Sequence, residues 1–318
     1  MPSLVQLEYI VAVADHRHFG KAARACHVTQ PTLSQQVRKV EDDLGILLFD
    51  RVKKPVVLTP EGEAFLEQAR LILREHRRLK DMAGANSKEV AGAFHLAVIP
   101  TVSTALVPQF IERFAVKYPK VELYIDELKT ETILESLRHD RLDAAILATP
   151  LPVTGFQEDP LYYEPFKLYV SKGHPLARHA TCDKSDLDGA GLWLLSDGHC
   201  FKDQVVRYCS LAEDSAVPTF RNIHFQSGNL DTLRRLVRQG HGYTLIPAFM
   251  TTFMSEAEVK AHVRSFAAPE PTREISLVSR RGHWKQNITR ALRESIARTL
   301  PEGVRTKADR RMEVLEVC

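Results

Sequence analysis

The sequence has no run of about 18 apolar residues, the minimum that a membrane-spanning helix needs. Its first residues show neither the basic segment nor the apolar stretch of a secretory signal peptide. We therefore expect a cytoplasmic protein that makes no contact with a membrane. In a reducing compartment structural disulfides are rare, so any disulfide among the five cysteines is expected to be transient and sensing or catalytic.

Excess charge is also missing, because 43 basic and 40 acidic side chains leave a net charge of only +3. This balance is too even to indicate nucleic-acid binding by itself, so such an argument must depend on where the basic residues lie. We expect no cofactor and no metal. At 318 residues the chain is long enough for two or three domains.

Residues 1–59 show the pattern of a winged helix-turn-helix domain. Apolar residues recur at helical spacing from Leu4 to Ala14, a short helix follows from Phe19 to Cys26, and Thr29 is a suitable N-cap for a third helix. Polar residue types on the outside of that third helix are typical of major-groove readers. The residues that we assign to its DNA-binding face are Gln30, Pro31, Thr32, Ser34, Gln35 and Arg38.

A basic hairpin is predicted directly after these helices. Residues 47–51 and 55–59 have the composition of two strands, and Arg51, Lys53 and Lys54 would lie at or near its tip. Such a tip forms a wing that grips phosphates. Each piece taken alone is weak evidence, since polar side chains on a helix are usually only solvated; the order of the four pieces is what predicts a DNA-binding domain.

A long linker helix is predicted over residues 60–91, with its helical pattern running to about Lys88. Its apolar stripe consists of Phe65, Leu66, Ala69, Ile72, Leu73, Leu79 and Met82. The stripe has two interpretations: packing on its own domain, or pairing with a second chain. The length of the helix favours the second, so we expect a homodimer or homotetramer.

Residues 92–300 alternate between strand and helix patterns, which predicts an α/β domain with an open, parallel sheet. The chain is expected to leave a first lobe, residues 92–163 and 269–300, and to form a second lobe from residues 164–268. This two-lobed arrangement is that of a periplasmic-binding-protein-like effector domain, with a ligand site between the lobes. Residues 301–318 are charged and aperiodic, and are predicted to be a flexible tail.

Cys200 and Cys209 are set in the most informative segment of the chain. An Asp-Gly turn precedes Cys200, and the residues after it have helical spacing. A cysteine at a helix N-terminus is favoured as a thiolate, and a protonated His199 would add to that effect. Nine residues of helix rise about 13 Å, so the two sulfurs can form a disulfide only if the helix comes apart.

This pattern predicts a redox switch in which the disulfide and the helix exclude each other. The alternative is that both are ordinary cysteines, since a free cysteine is most often a small, buried, apolar residue. We interpret Cys26 and Cys182 in that way, and we expect Cys318 to be exposed.

Two groups of motifs carry a resemblance to a known family. The first comprises Ala22-Ala23, the segment from Val28 to Ser34, Leu48-Phe49-Asp50-Arg51 and the segment from Leu58 to Gly62; on these the chain resembles LysR-type transcriptional regulators over nearly its full length. The second, Gly198-His199-Cys200 followed by Asp203-Gln204 and Cys209, is similar to the branch that senses hydrogen peroxide.

This resemblance implies roles for particular residues. Cys200 corresponds to the thiol that reacts with hydrogen peroxide, and Cys209 to its resolving partner. It also implies DNA and RNA polymerase as partners and no enzymatic activity. The residues expected to surround the peroxide are Thr101, Thr130, His199 and Asp203, and Arg280 is expected to add positive charge nearby.

His18 departs from the family pattern, because many members have a serine or threonine helix cap there. We expect a slightly weaker start of the second helix and no effect on function.

The sequence is also compatible with two other functions. One is a LysR-type regulator that binds a small metabolite between the lobes, with incidental cysteines. The other is a thiol peroxidase, against which the DNA-binding domain argues.

Overall fold

The protein is described from a computed structural model, which defines residues 1–84, 90–187, 189, 191–210, 225–282, 285–301 and 304–317. The chain forms two compact units, Met1–Lys88 and Glu89–Cys318. Within the defined residues, no helix is both long enough and apolar enough to cross a bilayer.

The first unit is a helical domain with a two-stranded wing. Its elements are α1 (Leu4–His16), α2 (Phe19–Ala25), α3 (Gln30–Leu44), β1 (Phe49–Asp50), β2 (Val57–Leu58) and α4 (Pro60–Gly84). Thr29 caps α3 by accepting a hydrogen bond from the Thr32 N–H. Ile10, Leu33 and Val37 are fully buried between the helices. The predicted winged helix-turn-helix is confirmed.

Two details of this unit concern the start of α2 and the wing. His18 caps α2, since its Nδ1 accepts hydrogen bonds from the N–H groups of Gly20 and Lys21 at 3.0 and 3.2 Å; that this helix start is slightly weaker stays a prediction. The wing strands have two residues each rather than five. Directly after β2, the Thr59 Oγ1 accepts a hydrogen bond from the Gly62 N–H at the start of α4.

The predicted apolar stripe of α4 divides into two faces. Leu66, Ala69 and Leu73 are buried within the unit, the latter two against Leu7 of α1. Ile72 and Leu79 are exposed by 49% and 66%, and they remain available to a second chain. The helix is defined as far as Gly84; its predicted continuation to residue 88 lies outside the described residues.

The second unit is an α/β domain. Its elements are β3 (Gly92–Val98), α5 (Pro100–Lys117), β4 (Val121–Glu127), α6 (Thr130–Arg138), β5 (Ala144–Thr149), β6 (Phe156–Val170), β7 (Thr181–Cys182), α7 (Cys200–Tyr208), α8 (Leu230–Arg238), β8 (Tyr243–Pro247), α9 (Glu256–His262), β9 (Val263–Phe266), β10 (Glu270–Arg280), α10 (Gln286–Ala297) and β11 (Met312–Val314). The main strand order is β4-β3-β5-β10-β6-β9-β7, with β11 beside β10 and β8 beside β6.

The sheet is mixed and not parallel throughout, which corrects the prediction. Strands β3, β4 and β5 are parallel, whereas β10 is antiparallel to both β5 and β6. The reason is that β6 and β10 are the two connections between the lobes. The chain leaves the first lobe along one and returns along the other, so they run in opposite directions.

Two hydrophobic cores define the two lobes. Tyr162 belongs to the first core and Phe166 to the second, so the division on β6 falls near Glu164. The first core also contains Val317, and Leu315 packs against the second.

The C-terminal segment is therefore not a flexible tail, contrary to prediction. Strand β11 pairs in parallel with the start of β10, and the Leu315 N–H donates to the Thr272 carbonyl at 2.8 Å. The segment is ordered because backbone pairing and two apolar side chains compensate for its high charge. Cys318 lies outside the described residues.

Candidate thiol site and DNA-facing surface

Helix α7 begins at Cys200, as the sequence predicts. Gly198 has φ = 81°, a conformation that favours glycine, and it turns the chain into the helix. Lys129 fixes this turn, since its Nζ donates to the carbonyl of Asp197 at 2.8 Å. His199 then adopts extended backbone angles at the N-cap position without making a side-chain cap.

The two cysteines lie at opposite ends of α7 and in different lobes. Both are free thiols with 6% exposure. Cys200 belongs to the core of the first lobe, whereas Cys209 belongs to the core of the second. An intact helix of this length separates its ends by about 13 Å, so a disulfide requires α7 to unwind.

Cys200 has both apolar and polar neighbours. Burial raises the pKa of the Cys200 thiol above its ordinary value. A hydrogen bond from the Thr130 side chain, the positive charge of Arg273 and the Phe201 N–H all act in the opposite direction. The expected thiolate preference is therefore wrong for this conformation, since burial outweighs the groups that favour the charged form.

Arg273 is the charged residue that the sequence interpretation missed. It is 1% exposed and pairs with Glu164 at 2.8 Å. Its Nη1 and Nη2 donate to the Oγ1 and the carbonyl oxygen of Thr101, both at 2.9 Å. Its guanidinium also lies 5.3 Å from the centre of the Phe201 ring. An arginine within a buried strand at a lobe crossing was the available signal.

Arg280 does not take the predicted position beside the thiol. Its Nη1 donates to the carboxylate of Asp140 at 2.9 Å and to the Arg138 carbonyl at 3.1 Å. It lies at the far end of β10, seven residues beyond Arg273. The positive charge beside Cys200 is therefore supplied by Arg273.

His199 is buried with 6% exposure. Burial lowers its pKa, and the positive charge of Lys129 acts in the same direction, against the smaller effects of Glu127 and Asp203. These effects disfavour the protonated imidazole, and the help expected from a protonated His199 stays a prediction.

The structure brings together most of the predicted peroxide group. Thr130 is hydrogen-bonded to Cys200. Thr101 accepts a hydrogen bond from Arg273, whose positive charge acts on the Cys200 thiol. Asp203 lies in the first turn of α7, where its negative charge opposes formation of the Cys200 thiolate.

Cys209 has far less polar surroundings than Cys200. Burial raises the pKa of its thiol to about 12, and among the described residues the charge of Lys184 opposes this shift. The ring of Tyr208 beside it packs edge-on against Phe266. In this conformation Cys209 is a protonated thiol within an apolar core.

A cavity of about 370 Å³ lies between the lobes, near Thr101. Its charged lining includes Glu127, Asp231 and Arg234. Arg234 pairs with Asp231 at 2.6 Å and also with Glu258. Within the part of the chain that is defined, no group of three histidine, cysteine or acidic residues is arranged to hold a metal ion.

The outer face of α3 is open to solvent, as the DNA-binding assignment needs. The exposed residues are Gln30, Pro31, Thr32, Gln35 and Arg38, and Ser34 is half-buried. On the wing, Lys53 and Lys54 are exposed.

Arg51 is different from the wing lysines, because it pairs with the buried carboxylate of Glu41 at 2.6 Å. Glu41 also accepts the N–H groups of Leu48 and Phe49, and the guanidinium lies 5.0 Å from the ring centre of Phe19. This arrangement holds the wing to α3, so Arg51 has a structural role besides any contact with phosphate.

Two family descriptions match the chain. "Bacterial regulatory helix-turn-helix protein, lysR family" matches residues 4–63, and "LysR substrate binding domain" matches residues 87–301. The chain belongs to the LysR family. It therefore carries the DNA-binding helix-turn-helix of this family of transcription regulators.

Relatives within the LysR family are similar over most of their length. A hydrogen peroxide-inducible genes activator of Pectobacterium carotovorum subsp. carotovorum is 42% identical over 87% of this chain and 89% of its own. The DNA-binding transcriptional dual regulator OxyR of Escherichia coli K12 is 39% identical, over 91% of this chain and 93% of its own.

Solved structures show the same similarity. A full-length OxyR variant from Pseudomonas aeruginosa is 33% identical with a TM-score of 0.78, covering 94% of this chain and 99% of its own. A hydrogen-peroxide-bound OxyR variant from Corynebacterium glutamicum is 30% identical with a TM-score of 0.61, covering 94% and 92%.

Proposed function

We propose that this LysR-family regulator senses hydrogen peroxide through oxidation of Cys200 and a disulfide between Cys200 and Cys209. The observation that carries the proposal is the placement of the two thiols at opposite ends of α7, each in the core of a different lobe. The names of the relatives support it, since they are hydrogen peroxide-inducible activators.

The chemistry follows from the groups around Cys200. Its thiolate attacks one oxygen of the peroxide, so an S–O bond forms as the O–O bond breaks and Cys200 becomes a sulfenic acid. The second oxygen leaves as hydroxide and takes up a proton to become water. Arg273 and Thr130 stabilise the thiolate. We propose that Asp203 orders a water molecule, which delivers this proton to the leaving oxygen, and that Thr101 holds the peroxide. Burial of the thiol restricts access by larger oxidants.

A second step, condensation of the two cysteines, completes the switch. The Cys209 sulfur attacks the Cys200 sulfenic acid, an S–S bond forms, and the sulfenic oxygen leaves as water with the Cys209 proton. Because α7 must unwind for this step, residues packed on it in both lobes must move. We propose that this movement rearranges subunits of a homodimer or homotetramer on DNA and alters their contact with RNA polymerase in the cytoplasm.

The test of this mechanism is peptide mapping after brief treatment with less than one equivalent of hydrogen peroxide. We expect Cys200 linked to Cys209, with Cys26, Cys182 and Cys318 as free thiols. A Cys200→Ser protein that responds normally to peroxide would reject the redox function.

DNA binding through α3 and the wing is tested by two matched substitutions. Arg38→Ala should cost about 1–3 kcal/mol on a specific site if it reads a base. Lys53→Ala should weaken binding to all sequences equally and reduce the salt dependence. Binding measured at several salt concentrations separates the two effects, and no loss for either variant would contradict the assignment of the DNA-binding face.

Metabolite sensing is the second candidate function, favoured by the cavity between the lobes. Its charged groups Arg234 and Asp231 pair with each other, which weakens the case for a charged ligand. A thiol peroxidase is less well supported, because burial of both thiols hinders the reductant that rapid turnover needs. We therefore expect signalling without rapid turnover.

A further inference from the structure

The C-terminal segment Arg311–Val317, which we call the strap, lies along β10 and reaches helix α7. Strand β11 within the strap pairs in parallel with Glu270, Pro271 and Thr272. At its start, the Glu270 N–H donates to the Arg311 carbonyl at 2.7 Å. The strap is thus bound to the same strand that carries Arg273 towards the Cys200 thiol.

Leu315 of the strap joins this strand to α7 through its backbone. The Leu315 N–H donates to the Thr272 carbonyl at 2.8 Å, and the Leu315 carbonyl accepts a hydrogen bond from Gln204 Nε2 at 2.9 Å. Gln204 is fully buried and lies near the middle of α7, between the two cysteines. The bond is made from the helical backbone at Gln204, so we expect unwinding of α7 to move this side chain away from the strap.

The side chains of the strap also engage both thiol environments. Leu315 packs against the core that contains Cys209, and Val317 is buried with 4% exposure in the core that contains Cys200. At the surface, Glu316 lies 3.9 Å from Arg207 of α7, an exposed ion pair of small effect. The strap therefore bridges the two cores that formation of the disulfide must disturb.

The side-chain amide of Gln204 has one satisfied and one unsatisfied polar atom in the reduced helix. Within the described residues, its Oε1 is buried and has no hydrogen-bond partner. A buried polar atom without a partner is destabilising, so the reduced helix tolerates Gln204 largely because Nε2 is satisfied by Leu315. Separation of the strap would leave the whole amide unsatisfied and favour the unwound helix.

We propose that the strap is a positioning element of the thiol switch, and that Gln204 binds it to α7 in the reduced state. The proposal rests on the peroxide-sensing function. Condensation of the Cys200 sulfenic acid with Cys209, which releases water, unwinds α7 and breaks the bond between Gln204 and Leu315. The strap therefore stabilises the reduced state and sets how readily the disulfide forms.

The experiment measures the reduction potential of the cysteine pair in the full-length protein equilibrated with reduced and oxidised dithiothreitol. Gln204→Ala should raise the equilibrium constant for disulfide formation about tenfold, which makes the potential about 30 mV more negative. A chain ending after Arg310, which lacks the strap, should change the potential at least as much. Arg207→Ala is the matched control on α7, with an expected change below twofold.

A second measurement separates positioning from a general loss of stability. In a Cys209→Ser background, adding the Gln204→Ala substitution should change the rate of Cys200 oxidation by peroxide less than twofold, since the strap acts on the second step. A purely structural role would destabilise both redox states and leave the potential unchanged. An unchanged potential in folded Gln204→Ala would overturn the proposal, even if the shortened chain does not fold.

Failure of the underlying function has a different signature. If the wild-type protein forms no disulfide between Cys200 and Cys209, the peroxide-sensing function is wrong. Hydrogen exchange of the α7 amides then tests the strap alone. Gln204→Ala should accelerate that exchange about tenfold, and unchanged exchange would overturn the role of the strap.

Discussion

The two ends of helix α7 have equally buried thiols in different chemical environments. Cys200 and Cys209 are each 6% exposed, and burial raises the pKa of both. At Cys200 a hydroxyl, a guanidinium and a backbone N–H oppose that effect, whereas at Cys209, within the defined part of the chain, Lys184 alone does. Burial alone therefore does not distinguish the two thiols; the surrounding donors and charges support the proposed roles, attack by Cys200 and resolution by Cys209.

Substitution of each cysteine in turn tests this comparison directly and should have the largest effect on the reaction with peroxide. Cys200→Ser should abolish the reaction with peroxide, because Cys209 is a protonated thiol in an apolar core. Cys209→Ser should still react once at Cys200 and leave a sulfenic acid open to over-oxidation or capping by small thiols. Mass spectrometry after brief peroxide treatment distinguishes the two results. Oxidation of Cys209 in the Cys200→Ser protein would contradict the assignment.

Removal of the buried charge beside Cys200 should have the next largest effect. Arg273→Gln leaves Glu164 buried without its ion partner, and loss of one member of such a pair costs about 3–5 kcal/mol of unfolding free energy. It should also slow the oxidation of Cys200, since the thiolate loses a nearby positive charge. Urea denaturation and peroxide kinetics measure the two effects.

Arg280→Gln is the control for that charge, because Arg280 forms a half-exposed pair with Asp140. Its cost should be at most about 1 kcal/mol, with unchanged peroxide kinetics. A slower reaction in Arg280→Gln with a normal Arg273→Gln would restore the sequence-based assignment of Arg280.

The contrast between these arginines shows how far the sequence could predict the site. Local residue spacing predicts helix α7, its N-terminal turn and the incompatibility of the helix with the disulfide. The choice between Arg273 and Arg280 depends on which of them contacts Thr101 in the folded chain. That contact is distant in sequence, and no local pattern contains it.

The C-terminal strap illustrates a second limit of sequence reasoning. Its charge and lack of periodicity indicate disorder, and this would hold for an isolated segment. The free edge at the start of β10 supplies backbone partners, and the cores accept Leu315 and Val317. Tertiary structure therefore overrides composition, as it does at the mixed sheet, where long strands between the lobes replace the expected parallel order.

Raising the pH tests the pKa of Cys209 and should lower the free energy of unfolding by a moderate amount. The folded pKa of Cys209 is about 12, above the value of about 8.5 for an unfolded thiol. The folded state therefore retains a proton that the unfolded state loses, and this stabilisation is present below about pH 8.5 and is lost as pH rises towards 12. Urea denaturation of the reduced protein from about pH 7.5 to about pH 9.5 should show a decline that is smaller in Cys209→Ser. Parallel slopes for the two proteins would contradict the raised pKa.

Removal of the Lys184 charge should have the smallest effect, and this effect should be confined to the resolving step. The positive charge of Lys184 favours the Cys209 thiolate, and its Nζ also lies 5.7 Å from the ring centre of Tyr208. Lys184→Met should raise the pKa of Cys209 further and slow the condensation with oxidised Cys200 by about twofold to threefold, because the attacking sulfur is less often ionised. The first oxidation of Cys200 should be unchanged, since Lys184 is not among the groups that shift its pKa. Rapid-quench measurement of sulfenic acid and disulfide resolves the two steps, and an equal slowing of both would show that Lys184 acts on the fold of α7 and not on the resolving thiol.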